Sequence, residues 1–193
     1  MSEAIASRRS LVLGAGKTLT VAGVAAFVGA CAREVADTPT NAQATGQDVE
    51  ILNAAIALEH EGIAAYTIAA GSGLLQAAVT QIGLTFRGHH MAHRDALMAA
   101  VTQLGGTPAA AKTEAEYVQS LNVASLRNQA DVLGLALRLE RGAANAYLSL
   151  IPQLGVNFHQ VAARMAGDET FHVAILANAL GEPIPQQGLM FGA

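Results

Sequence analysis

The stretch "AGDETFHVAIL", Ala166 to Leu176, decides the fold. Ala166, Val173 and Leu176 fall at the three- and four-residue steps of one helix face. Glu169 and His172 fall there too, because residues three apart on a helix share a face. An apolar helix is therefore expected to turn a carboxylate and an imidazole toward a core. A buried carboxylate is costly unless something pairs with it, so partners are to be sought elsewhere in the chain.

They lie in an internal repeat. Met165, Glu169, His172 and Leu176 have the same four, three, four spacing as Phe86, His90, His93 and Leu97. "LEHEGIAAY" (Leu58–Tyr66) and "LERGAANAY" (Leu139–Tyr147) both read Leu-Glu, six residues, Tyr. Generic core packing does not produce such a two-fold repeat.

Each half of the repeat reads as two helices. Helical periodicity runs from Asp48 to a stop at Gly71 and Gly73, then from Leu74 to Leu104 before Gly105, Gly106 and Pro108. It resumes from Leu126 to Leu154, with Pro152 as a candidate early stop, and from Phe158 to Leu180 before Gly181 and Pro183. Gly155 and Asn157 read as the turn and the N-cap of the last helix. Residues 106–125 lack a sustained apolar stripe and read as a connection. The outer loops are short, so each pair is an antiparallel hairpin. A thirty-residue helix is about 45 Å long, and a twenty-residue link can span it. The expected fold is all-α, two hairpins joined by one long crossover. A plain up-down bundle is the rival, but it would not need so long a link. In the first hairpin His90 and His93 lie about one turn too far from the loop, which a loop extending to about Gln76, or helix tilt, would absorb.

Composition agrees. The 193-residue chain is 52% hydrophobic, 13% charged and only 4% aromatic, which suits packed helices rather than sheet. A formal charge of −4 and no basic patch exclude a nucleic-acid binder. The single cysteine excludes a disulfide framework and a thiolate metal cage.

Glu59, His90, His93, Glu140, Glu169 and His172 lie near the middles of their helices, where they can meet at one level. Lysine is nearly absent from those helices, so two divalent cations are the natural counter-charge for three buried carboxylates. Oxygen and imidazole donors without thiolate suit iron or manganese, and also zinc. His89, four residues before His93, competes with His90, but His90 keeps the repeat. Asp168 and Glu61 point off the seam. His60, His89 and His159 are expected on solvated or interhelical faces. Tyr66 and Tyr147 share the Glu59 and Glu140 stripes and read either as hydrogen-bond partners of the ligands or as core residues. Gly62 and Gly142 read as points of close helix approach.

On these motifs, residues 48–181 resemble the ferritin-like superfamily, in particular its secreted branch of bacterial exported proteins and plant desiccation-related proteins. The resemblance implies a four-helix bundle with one Glu from the first and third helices and Glu-x-x-His from the second and fourth. Glu59, Glu140, Glu169, His93 and His172 match; position 90 carries His where the family has a bridging Glu. Three carboxylates leave one positive charge uncompensated against two divalent metals, so an added anion, a single metal or a different metal is expected. The resemblance implies a peroxide- or oxygen-reactive oxidoreductase. Its alternative is a non-catalytic envelope stress or metal-binding protein on a relic scaffold. The absence of cysteine pairs weakens a peroxidase with a rubredoxin-like donor, and a storage cage ranks low beside a lipid anchor.

The N-terminus reads as an address. Ser7, Arg8, Arg9 and Leu11 resemble a twin-arginine export signal, without its usual lysine, ahead of an apolar run to Ala30. "VGAC", Val28 to Cys31, resembles a lipobox with Cys31 as the lipidated residue. Cleavage after Ala32, or retention of the run as an uncleaved anchor, are the rivals. The expected organisation is an export signal at 1–31, a linker at 32–46, a four-helix domain at 47–182 and a tail at 183–193. The localisation expected is periplasmic or cell-envelope. The tail is expected to fold over the bundle or to form a homodimer through Leu189, Met190 and Phe191.

Overall fold

The computed structural model describes residues 41–192. The expected export signal, the lipobox at Cys31 and the start of the linker lie outside the described residues. Five α-helices and two short 3-10 turns make up the regular structure, with no strand among the described residues. They are α1 (Asn41–Gly71), α2 (Ala77–Gln103), α3 (Glu114–Ser120), α4 (Gln129–Leu150) and α5 (Val156–Ala179).

α1 and α2 form one hairpin, α4 and α5 the other, and α1 also packs on α4 and α2 on α5. Contacts between them fix direction. Tyr66, late in α1, bonds Glu140, while Glu59, earlier in α1, bonds Tyr147, late in α4. α1 and α4 are therefore antiparallel. Phe86 stacks on His172 and His93 meets Glu169, so α2 and α5 are antiparallel as well. The architecture is a ferritin-like four-helix bundle with a long crossover from α2 to α4.

Several boundaries differ from expectation. α1 begins at Asn41, so residues 41–46, expected as linker, are helical. Its N-terminal turns are held by the far hairpin: Asp48 accepts the Gly155 N–H at 2.8 Å, and Gln47 donates to the Gln153 carbonyl at 3.3 Å. The same Asp48 contact starts α5 at Val156, one residue ahead of Asn157. The N-cap is Gly155, not Asn157. α2 starts at Ala77 after an N-cap at Gln76, and the longer first loop brings His90 and His93 level with Glu59. Gly73 takes the left-handed conformation in that loop, at φ 72°. Pro152 lies in the 3-10 turn Ile151–Gln153 that ends α4.

The crossover is more ordered than its weak periodicity suggested. Thr113 and Glu116 form a reciprocal capping box that starts α3, and Tyr117 and Leu121 pack under it against Ala65 and Leu135. The tail folds back: Phe191 packs on the bundle and the Gly192 N–H donates to Asn145 at 2.8 Å, while Leu189 stays 98% exposed.

Two apolar layers fill the bundle. One holds Leu52, Ile56, Leu97, Val101, Tyr147 and Met165. The other holds Tyr66, Phe86, Leu133, Leu137, Val173 and Leu176. The polar set lies between them.

Candidate metal centre

All six residues singled out by the repeat are buried at one level of the bundle. Glu169 and His172 are 0% exposed, Glu59 and Glu140 1%, His90 4% and His93 6%. Each helix contributes its share because each carries the motif on its inward stripe.

The donors form two overlapping groups. Glu59, His90, His93 and Glu169 make one; His90, Glu140, Glu169 and His172 make the other. Within each group one donor atom per residue lies within 4.8 Å of the rest. His90 and Glu169 belong to both groups, so they occupy the bridging positions.

The three imidazoles are held in two ways. His93 Nδ1 faces inward, 3.1 Å from Glu169 Oε1 and 3.6 Å from Glu59 Oε1, and its Nε2 meets Asp168 Oδ2 at 3.1 Å. His172 Nδ1 faces inward, 3.2 Å from Glu140 Oε2 and 3.3 Å from Glu169 Oε2, and its Nε2 meets His89 Nδ1 at 2.9 Å. An outward nitrogen anchored by a polar neighbour orients the inward one, as in metal-bound histidines. His90 has no outward nitrogen. Its Nδ1 lies 2.7 Å from Glu59 Oε2 and its Nε2 3.2 Å from Glu140 Oε1, so the ring spans the two halves.

The tyrosines fill both expected roles. Tyr66 and Tyr147 are core residues, and their hydroxyls donate to Glu140 and Glu59 across the α1–α4 seam. Each tyrosine of one repeat thus holds the glutamate of the other.

Burial and pairing set the protonation. Burial pushes the His90 imidazole down, but hydrogen bonds to Glu140 and Glu59 and the carboxylate charges outweigh it, raising its pKa to about 11. The same balance, with Glu169 and Glu59 as partners, raises His93 to about 10. His172 is raised through Glu140 and Glu169. Burial opposes ionisation of Glu59 and Glu140, but the imidazole hydrogen bonds overcome it and hold both below the usual carboxylate range. Glu169 goes the other way: burial, with Glu140 beside it, raises its pKa despite His172 and His93. The His172 Nδ1 that lies 3.3 Å from its buried Oε2 is hydrogen-bonded to Glu140 Oε2 at 3.2 Å, so Glu169 Oε2 keeps an ion-pair contact but no hydrogen bond of its own.

Comparison with known proteins places this geometry. A family model described as a ferritin-like domain matches residues 47–182. The chain belongs to the ferritin-like domain family. Among solved structures it resembles a conserved hypothetical protein, rv2844, from Mycobacterium tuberculosis. The identity is 23%, the TM-score 0.61, and the match covers 74% of this chain and 96% of that one. At that identity the likeness speaks for the fold alone. No curated protein matches.

Within the ferritin-like domain, three neighbours of the centre lie where sequence reasoning put them but make contacts it did not assign. Asp168 does leave the seam, yet its exposed carboxylate reaches back to His93. His89, expected on a solvated or interhelical face, is half-buried and stacks on His172 with ring centroids 5.1 Å apart. Gly62 does more than bring helices together: a Cβ there would lie 3.0 Å from His90 Cε1 and Nδ1. Gly142 meets nothing within 4 Å. The sequence signal was present, since only the Glu59 stripe carries glycine at the third position beyond Glu. His60 and His159 are tied to the Ala109 and Leu154 carbonyls.

The donor set fits divalent metal. Carboxylate oxygens and imidazole nitrogens converge, inward histidine nitrogens are oriented from outside, and one buried carboxylate oxygen accepts no hydrogen bond. The residues in place would hold a metal by Glu59 and His93 on one side, Glu140 and His172 on the other, and Glu169 between them.

Proposed function

We propose that this chain is an exported ferritin-like metal-binding protein whose centre holds a pair of divalent cations, iron or manganese, as a peroxide- or oxygen-reactive oxidoreductase. The observation that carries the reading is the fully buried Glu169 at the junction of two four-donor groups, its Oε2 left with an ion-pair contact to His172 Nδ1 at 3.3 Å and no hydrogen bond. A buried carboxylate oxygen left without a hydrogen bond costs about 1–3 kcal/mol, and a cation held by Glu169 would offset that cost. Bound there, a redox metal would supply the electron transfer to peroxide or oxygen. The chain's own residues supply the rest. Glu59, Glu140 and Glu169 offset the charge, Asp168 and His89 orient two imidazoles, and Tyr66 and Tyr147 hold the glutamates and close the site to bulk water. Export, with or without lipidation at Cys31, is supported by the Arg8–Arg9 and "VGAC" motifs.

A second reading has its own observation. His90 donates to Glu59 and Glu140 together, so a metal-free core is largely self-satisfied. On that reading the protein is a relic scaffold that acts at the envelope without catalysis.

Elemental analysis of the protein lacking residues 1–32, loaded with iron or manganese and desalted, separates the two. About two atoms per chain is expected of a binuclear centre. A single atom would mean that His90 has displaced the second, and none would leave the relic scaffold. A His93→Ala, His172→Ala double variant should lose the metal and keep its helicity; metal retained by that variant would sink the assignment.

A further inference from the structure

Beside the centre, within the Tyr66–Phe86 layer, lies an apolar cavity of about 40 Å³. Ala69 of α1, Val79 of α2, and Leu133 and Ala136 of α4 line it, and Ile82, 44% exposed, forms its outer lip. Its inner wall is the pair Tyr66 and Phe86. These two rings also touch the metal ligands: the Tyr66 hydroxyl bonds Glu140, and Phe86 stacks on His172 with centroids 4.0 Å apart. The cavity is thus one side chain away from the donor atoms.

Its chemistry is selective. The only side-chain hydroxyls in the lining are those of Tyr66 and Thr80. Tyr66 is committed to Glu140, and Thr80 Oγ donates to the Gln76 carbonyl at 3.1 Å. A hydrogen-bonding guest would lose its water and find no free donor, and at most a hydroxyl lone pair, in return. Dry apolar cavities instead take up small nonpolar molecules such as xenon.

We propose that this cavity is a holding site for dioxygen, so that dioxygen rather than hydrogen peroxide is the oxidant the centre is built to meet. Dioxygen has no donor, is barely hydrated and fits the volume. Peroxide is donor and acceptor at both ends and is excluded on the same grounds as water. The proposal concerns binding, and it rests on the oxidoreductase reading for its meaning at the centre.

The test begins with the metal-free protein, where no metal can confuse the readout. Dissolved dioxygen is paramagnetic and speeds the relaxation of nearby methyl protons. Methyls of Val79, Leu133 and Leu176 should relax several-fold faster under dioxygen than those of Leu52 and Ile56, buried in the other layer. Ala136→Leu should fill the cavity and erase the difference; Ala69→Leu, on the neighbouring helix, serves if that variant fails to fold. In ferrous-loaded protein the filled variant should need several-fold more dioxygen for half-maximal iron oxidation, with its peroxide dependence unchanged. Equal relaxation in both layers overturns the proposal, as does a variant that shifts both oxidants alike. A chain that takes up no metal fails in the elemental analysis instead, while the methyl result still decides whether the cavity holds dioxygen.

Discussion

Gly62→Ala tests whether His90 sits where the structure puts it. In the interior of α1 an alanine is worth about 1 kcal/mol more than a glycine, so the change should stabilise an unconstrained helix. Here the new Cβ would lie 3.0 Å from two atoms of the His90 ring and 3.1 Å from a third. The ring must retreat by a few tenths of an ångström, and it has nowhere to go. Glu59 holds one nitrogen at 2.7 Å, Glu140 the other at 3.2 Å, and Tyr66 lies against it with centroids 5.6 Å apart. Overpacking of a filled core costs about 1–3 kcal/mol. The net effect of Gly62→Ala is then a destabilisation of between zero and about 2 kcal/mol. In a His90→Gln background the flexible side chain can swing clear and still donate, and the same change should stabilise by about 1 kcal/mol. Urea unfolding of the metal-free protein, followed by far-ultraviolet circular dichroism, gives both arms of the cycle. The expected coupling is about 1–3 kcal/mol. Stabilisation by the same amount in both backgrounds would refute the placement of His90 between the carboxylates.

Other perturbations address the remaining contacts. Tyr147→Phe removes the donor to Glu59 and leaves a buried carboxylate short of a hydrogen bond; unfolding should show a loss of about 1–3 kcal/mol, and a neutral result would mean the hydroxyl is not engaged. Thr113→Ala should remove the side-chain half of the capping box on α3, leaving the backbone N–H of residue 113 on Glu116, and cost about 1 kcal/mol, measured by local amide exchange at Tyr117 and Leu121. His90→Glu restores a fourth carboxylate and should raise iron occupancy toward two per chain; unchanged occupancy would exclude His90 from the site. The pH dependence follows from the imidazoles. His90 and His93 are raised to about 11 and about 10 when folded, so each binds its proton more tightly folded than unfolded. Their contribution to metal-free stability is whole below the unfolded value of about 6.5 and is lost as pH rises through 10 and 11. Unfolding free energy of the metal-free protein should fall across that window, and metal uptake should release protons and tighten with pH; a flat titration would contradict the ion pairs.

The repeat made most of the centre legible. Two copies of Leu-Glu-x6-Tyr and two of the four, three, four spacing pointed to Glu59, Glu140, Glu169, His93 and His172, and favoured His90 over His89. The structure buries all six together. The extra residues needed in the first loop were also foreseen, because the two hairpins had to bring their motifs level. What escaped was set by contacts between segments distant in the chain. Asp48 reaches Gly155 and moves the start of α5, which no local N-cap rule at Asn157 could show. α3 was missed for a different reason. Seven residues are too few to show a period, although Thr113-x-x-Glu116 is a legible start signal. His89 was set aside because His90 keeps the repeat, and Asp168 by helical angle, yet both reach the back of a ligand imidazole. Helical angle places the Cβ, and a side chain can still bend toward a partner beside the seam.

The substitution at position 90 also explains how the bundle can fold before any metal arrives. Three carboxylates buried together would repel one another, and with few lysines on the helices only an internal cation can hold them. A glutamate at position 90 would add a fourth negative charge and make the metal-free core depend on protons taken up by carboxylates. An imidazole there bonds Glu59 with one nitrogen and Glu140 with the other, tying α1, α2 and α4 together at the level of the centre. The same bonds stand against metal, since a cation entering either group must displace His90 from a carboxylate. Glu169 is the exception: its Oε2 accepts no hydrogen bond and has only the ion-pair contact with His172 Nδ1 at 3.3 Å, and its position in both groups makes it the natural first contact for a cation. A centre whose carboxylate oxygens are hydrogen-bonded everywhere but at this one shared residue would load in order, Glu169 first and the carboxylates tied to His90 last.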